Sequence, residues 1–227
     1  TGSRTIVSLL TMCSMSSRRG SSSLSAFFSE GIYTIGLTGG IGAGKSYVAR
    51  MLQERHIPVY ATDQRAKALY DEDEELRESM IRLCGKEIYS TEGHLDRAYL
   101  ASLIFADRAL LEEVNKLVHP AVRRDFCRWR SELVESGLRL CALESALLLN
   151  AGLDEYVDLV VAVVAEESVR LTRAMLRDGA SEESVRARIQ HQMAEEELID
   201  RADYILYNDD AHPLAPQIDR LLATLPL

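Results

Sequence analysis

No stretch of the 227 residues approaches the roughly 18 consecutive apolar residues that a bilayer-crossing helix needs, so no membrane partner is expected. Positive charge is also short: 26 Lys and Arg stand against 35 Asp and Glu, a formal net charge of −9. Nucleic acids select a basic face, so none is expected as a partner, and any anion pocket must be assembled from a few local Arg and Lys side chains. Cysteine is sparse. Cys13, Cys84, Cys127 and Cys141 show no Cys-x-x-Cys or metal-ligand spacing, which reads as reduced thiols in a reducing compartment, the cytoplasm. His56, His94, His191 and His212 have no ligand-like companions, so no zinc site is expected. Acids are missing from residues 1–29, which are rich in Ser and carry Arg4, Arg18 and Arg19. Residues 1–30 therefore read as an appended leader. Organelle transit peptides share that composition, as do a cloning remnant and a start codon placed too early.

What is plentiful is apolar material. At 47% hydrophobic residues the chain supports a core of one medium domain with an inserted lobe, over residues 31–227. Its most informative segment runs from Gly36 to Ser46, Gly-Leu-Thr-Gly-Gly-Ile-Gly-Ala-Gly-Lys-Ser. Gly39, four residues, then Gly44, Lys45 and Ser46 form a complete phosphate-binding loop. A strand-like run at Tyr33–Leu37 precedes it and a helical pattern at Lys45–Glu54 follows, which is the order the motif requires. Gly39, Gly40, Ile41, Gly42, Ala43, Gly44, Lys45, Ser46 and Tyr47 are the candidate nucleoside triphosphate contacts. Glycines let backbone N–H groups turn inward, and the helix adds the positive end of its dipole. Lys45 supplies a full charge to the outer phosphates, and Ser46 offers a hydroxyl to Mg²⁺.

Further along, Ile57–Tyr60 reads as a second strand, and Thr62 or Asp63 as the cap of a helix through Leu69. Glu74–Cys84, Arg97–Phe105, Asp107–His119 and Ala121–Val134 read as helices, with Pro120 in the first turn of the last. From Asp71 to Gly137 they make an inserted helical lobe. Arg139–Leu143 and Val157–Ala165 return to strand character, and the continuous β-branched run of the latter suits a parallel sheet covered on both faces. Glu166–Arg177 is helical, Asp178-Gly179 breaks it, and a second helix runs from Ser181 to about Met193. Tyr204–Tyr207 is the last strand and Leu214–Leu225 is mostly helical. Strand and helix in alternation give a doubly wound α/β fold of the P-loop NTP hydrolase type.

The order of the later landmarks resembles the dephospho-CoA kinase family. Pro58-Val59-Tyr60-Ala61-Thr62-Asp63 stands at the end of the second strand, followed by Leu95-Asp96-Arg97 and Val118-His119-Pro120. Leu147-Leu148-Leu149 with Ala151-Gly152, Arg173 with Arg177-Asp178-Gly179, Arg188 with Gln192, and Ala202-Asp203 with Asn208 complete the series. The resemblance implies transfer of the ATP γ-phosphoryl group, with Mg²⁺, to the ribose 3′-hydroxyl of dephospho-CoA, and three lobes: a nucleotide-binding core, a helical substrate lobe over 64–136 and a mobile lid at 168–195.

It makes Asp63 the base candidate, although an Asp there equally suits a helix cap. Arg173 and Arg177, four apart on one helix face, are the candidates for stabilising charge on the transferring phosphate, against ordinary surface pairing with Glu166, Glu167 or Asp178. Arg188 and Gln192 repeat that spacing, with lid packing as the rival role. Arg97 and His119 are candidate dephospho-CoA contacts; bracing a helix and fixing a helix junction are their alternatives. Glu144 is a candidate water-mediated Mg²⁺ contact. Three departures stand out: Ala61 replaces the first Asp of the family's Asp-x-Asp, and Ala146 and Asn150 replace its Pro and Glu. A nucleotide-binding module without phosphoryl transfer, or another P-loop small-molecule kinase, remains an alternative on these residues. Asn115-Lys116-Leu117-Val118 lacks the carboxylate of a guanine-reading Asn-Lys-x-Asp. The residues carry no signal for oligomeric state.

Overall fold

A computed structural model describes residues 31–190 and 192–226; the leader and His191, singled out above, lie outside them. Five parallel strands form one sheet in the order β2-β3-β1-β4-β5. They are β1 (Tyr33–Gly39), β2 (Val59–Ala61), β3 (Leu140–Glu144), β4 (Leu159–Val164) and β5 (Tyr204–Tyr207). The two-residue side-chain period splits β4 cleanly. Val160, Ala162 and Val164 enter one apolar cluster, while Val161 and Val163 enter the other. Each face is therefore covered, as the doubly wound reading requires.

One cover consists of α1 (Lys45–Glu54) and α9 (Leu214–Ala223), which bury Val48, Leu52, Ile218 and Leu221. The other is supplied by α2 (Thr62–Glu72), α3 (Glu74–Cys84), α4 (Arg97–Ala106), α5 (Arg108–Glu135) and α8 (Glu195–Arg201). Asp73 and Asp96 cap α3 and α4 by accepting from the amides of Leu76 and Tyr99. Between β4 and α8, α6 (Glu167–Asp178) and α7 (Glu182–Gln190) share a small cluster of Leu171, Ala174 and Val185.

Three expectations are corrected. Pro120 does not separate two helices: α5 is one helix of 28 residues with Pro120 inside it. A proline in a helix interior costs about 3 kcal/mol, but Val114, Val118, Ala121, Val122 and Phe126 form one buried stripe across it, and packing of both halves on one core offsets the loss. Neither Thr62 nor Asp63 caps α2. The cap is Ala61, with no side-chain bond, and the Thr62 hydroxyl instead donates to the Glu144 carbonyl at 3.0 Å. The helix from Ser181 ends at Gln190, and α8 follows from an Ala194 cap that offers no side-chain signal.

A polar tie fixes α5 against α2 and β2. Buried Asp125 accepts from the Tyr60 hydroxyl at 2.7 Å and from Arg65 at 2.9 and 3.1 Å. Arg65 also reaches Glu72 at 3.0 Å. Breaking a fully buried pair costs roughly 3–5 kcal/mol. Because Arg65 retains Glu72 and solvent, Asp125→Ala is expected to lose less, about 2 kcal/mol in urea unfolding. A loss under about 0.5 kcal/mol would show that the tie contributes nothing.

Candidate active site

The carboxyl ends of β1, β2 and β3 deliver the phosphate loop, the Ala61–Asp63 turn and Glu144 to one crevice. The amides of Gly42, Gly44, Lys45 and Ser46 have no acceptor among the described residues, so a row of donors stands available to an anion. Three neighbouring amides are spent: Ala43 donates to Gly40, Tyr47 to Gly44, and Ile41 to the Gln192 side chain at 2.7 Å. Gly44 holds φ 102°, and a Cβ there would collide with the Asn208 amide. Asn208 itself donates to the Ala43 carbonyl at 2.8 Å and bonds through its own amide to Val164, which ties the loop to the end of β4.

The Lys45 ammonium rests on the carbonyls of Gly39 and Gly40 at 2.9 and 3.3 Å. Burial lowers its pKa, while Glu144 and Asp63 act in the opposite direction. Glu144 is buried, and burial raises its carboxyl above the ordinary value against the pull of Lys45. Ammonium and two carboxylates thus form one electrostatic unit at the base of the loop.

Two cavities flank α2. One, about 180 Å³ and mainly apolar, is lined by Asp63, Asn115, Val118, His119, Ser145 and Leu147. The other, about 640 Å³ and polar, reaches Ser46, Arg50, Ala61, Gln64, Arg65 and Glu144. Asp63 and His119 therefore share a cavity, whereas Arg97 does not line it: its guanidinium donates to the Lys67 carbonyl at 2.7 Å and lies near Asp71, a bracing position. Arg173 donates to the Asn208 carbonyl at 3.4 Å. Arg177 stands close enough to depress Lys45, yet it is paired with Asp178 at 2.7 and 3.0 Å. Arg188 also pairs with Asp178. Ala146 and Asn150 line a narrow cleft with Gln192 beside Gly39 and Gly40. Sequence reading missed Arg170, a buried cation against the loop. Its signal was the spacing, since Arg170, Arg173 and Arg177 fall on one helix face.

A family model for dephospho-CoA kinase matches residues 33–213. The chain belongs to the dephospho-CoA kinase family. A dephospho-CoA kinase of Porphyromonas gingivalis is 45% identical over 193 residues, 85% of this chain and 94% of that protein. One from Bacteroides fragilis is 39% identical, covering 84% and 92%. The crystal structure of TT1252 from Thermus thermophilus superposes with a TM-score of 0.75 at 34% identity, over 87% of this chain and all of that one. A dephospho-CoA kinase from Campylobacter jejuni gives 0.61 at 22% identity over 84% and 94%, a likeness of fold. The activity is ATP-dependent phosphorylation of the dephospho-CoA hydroxyl, and the module without phosphoryl transfer falls away.

Burial, with Arg123 nearby, lowers the pKa of His119. The unfolded chain takes up this proton first as pH falls, so the stability carried by the neutral ring is complete above about pH 6.5 and is lost through the lowered folded value. Thermal melts between about pH 7.5 and about pH 5 should show a steeper fall for wild type than for His119→Asn. Parallel slopes would remove His119 from the acid response.

Proposed function

We propose that the ATP triphosphate lies on the amides of Gly42, Gly44, Lys45 and Ser46, and that Lys45 leaves the Gly39 and Gly40 carbonyls to follow the outer phosphates. The observation that carries this reading is the row of unpaired loop donors beside a single ammonium. Asp63, in the 180 Å³ cavity, orients the acceptor hydroxyl and takes its proton. As the acceptor oxygen bonds to the γ-phosphorus, the bond to the β–γ bridging oxygen breaks and ADP departs. Arg173 and Arg177 meet the developing charge, which requires Arg177 to release Asp178.

The cavity is too small for the whole of dephospho-CoA, since sites for ligands of that size span roughly 300–1,000 Å³. It takes the reacting end, and His119 and half-exposed Leu147 guide the remainder outward. Arg97 acts on the acceptor only through the lobe it braces.

Mg²⁺ fits the oxygen donors present: the Ser46 hydroxyl, and a Glu144 carboxylate that accepts no hydrogen bond from the described residues. Among those residues no group of three His, Cys, Asp or Glu could hold a metal alone, which suits an ion that shares substrate phosphates and water. When bound it would neutralise charge on the β and γ oxygens. Residues 64–136 are proposed as the acceptor lobe and 168–195 as a closing lid. No described helix is long and apolar enough to cross a membrane, and the free thiols of Cys84, Cys127 and Cys141 support work in the cytoplasm.

Lys45→Ala is expected to abolish ADP release with dephospho-CoA, and Asp63→Asn to lower kcat by about 10²–10⁴-fold while ATP affinity is largely kept. Unchanged turnover in Asp63→Asn would take that residue out of the chemistry. An ATP analogue should protect residues 168–195 from limited proteolysis, and an unchanged cleavage pattern would count against closure.

A further inference from the structure

The Arg170 guanidinium is buried and has no part in the chemistry above. Its Nε donates to the Ile41 carbonyl at 3.2 Å, and Nη1 lies 2.8 Å from a Glu195 carboxylate oxygen. On the opposite side of the same residue, the Ile41 amide donates to Gln192 Oε1 at 2.7 Å. The Ile41 side chain packs into the cluster of Leu171, Ala174 and Val185. Both backbone polar groups and the side chain of one loop residue are thus held by α6, α7 and the approach to α8.

That hold answers a physical need. Ile41 lies between Gly40 and Gly42, which offer almost no torsional resistance, so the intervening peptides would otherwise sample many orientations. A Cβ on Gly40 would meet the Arg170 guanidinium, and one on Gly42 the Arg170 backbone; the glycines that admit the phosphate also admit Arg170. A planar guanidinium can bridge a carbonyl and a carboxylate in one fixed geometry, which an ammonium cannot.

We infer that Arg170, held by Glu195 and opposed by Gln192, is a positioning residue that clamps Ile41 so that the loop amides face inward before nucleotide arrives. Pre-organisation of this kind raises affinity by removing ordering cost from the binding step. The inference rests on the reading that this loop carries the ATP phosphates.

Steady-state kinetics, calorimetry with a non-hydrolysable ATP analogue and thermal melts test it on the full chain. The Glu195 side chain is 37% exposed, so Glu195→Gln should keep the wild-type melting temperature. It is expected to raise the ATP KM and the analogue Kd about 3- to 10-fold, with kcat and the dephospho-CoA KM within about two-fold. Arg170→Met, which keeps the apolar stem, should lose more than about 10-fold, and Arg170→Lys should recover only part of it. Unchanged ATP affinity in both Glu195→Gln and Arg170→Met, whatever their melting temperatures, overturns the clamp. Lys45→Ala is the control. Loss of analogue binding there upholds the loop reading and directs a negative result at the clamp alone; analogue binding at wild-type strength there overturns the loop reading itself.

Discussion

A cradle of backbone N–H groups is useful only if its peptides keep facing inward when the anion is absent, and glycine-rich chain has little means of ensuring this by itself. Here side chains supply the fixing, most of them from outside the loop. Asn208 takes the Ala43 carbonyl, Arg170 and Gln192 take the two polar groups of Ile41, and Lys45 takes the carbonyls of Gly39 and Gly40. Outward-facing groups are satisfied by side chains, and inward-facing donors remain for phosphate. The rest of the site depends on this division. On the proposed function, neither Asp63 nor Arg173 and Arg177 would otherwise have a fixed γ-phosphate to act on.

Topology explains why these groups meet. β1 lies between β3 and β4, and the chain leaves β1 toward β2 on one side before crossing to β4 and β5 on the other. Open parallel sheets bind ligands at the carboxyl ends beside such a reversal. The loop after β1, the α2 start after β2 and Glu144 at the end of β3 then share one crevice although they are far apart in sequence. Thr62 to Glu144 is a direct strut between two of them. The segment from α6 to α8 inherits its position from β4 and β5, which is how α6 and α8 come to grip the loop.

Much of this was legible in the sequence because it rests on local or periodic signals. The loop has a spacing that little else produces, the β-branched run at Val157–Ala165 suited a doubly covered strand and holds β4, and the helix broken at Asp178-Gly179 ends there with Gly179 in positive φ. The misreadings share a cause. Pro120 carries a strong local signal for a break, and a nonlocal stripe of buried side chains overrode it. Ala194 begins a helix without any capping atom. Of the two roles open to Arg97, its bond to the Lys67 carbonyl and its place near Asp71 match the bracing one, while contact with the acceptor stays untested. Arg170 shares a helix face with Arg173 and Arg177, but that spacing says nothing of its partner, a carbonyl 129 positions earlier.

The alanine at position 61 fits the charge distribution around Lys45. Glu144 and Asp63 favour the ammonium there, while Arg177 and Arg170 oppose it. A third carboxylate at Ala61, at the mouth of the larger cavity with Ser46 and Glu144, would stabilise a divalent ion but would also repel a polyphosphate before that ion is in place. In the proposed mechanism its absence leaves Glu144 to serve the metal and Asp63 the acceptor. The triphosphate charge is unchanged by the alanine, so on the proposed function it still falls to Lys45 and to loop amides that the contacts around Ile41 hold in place.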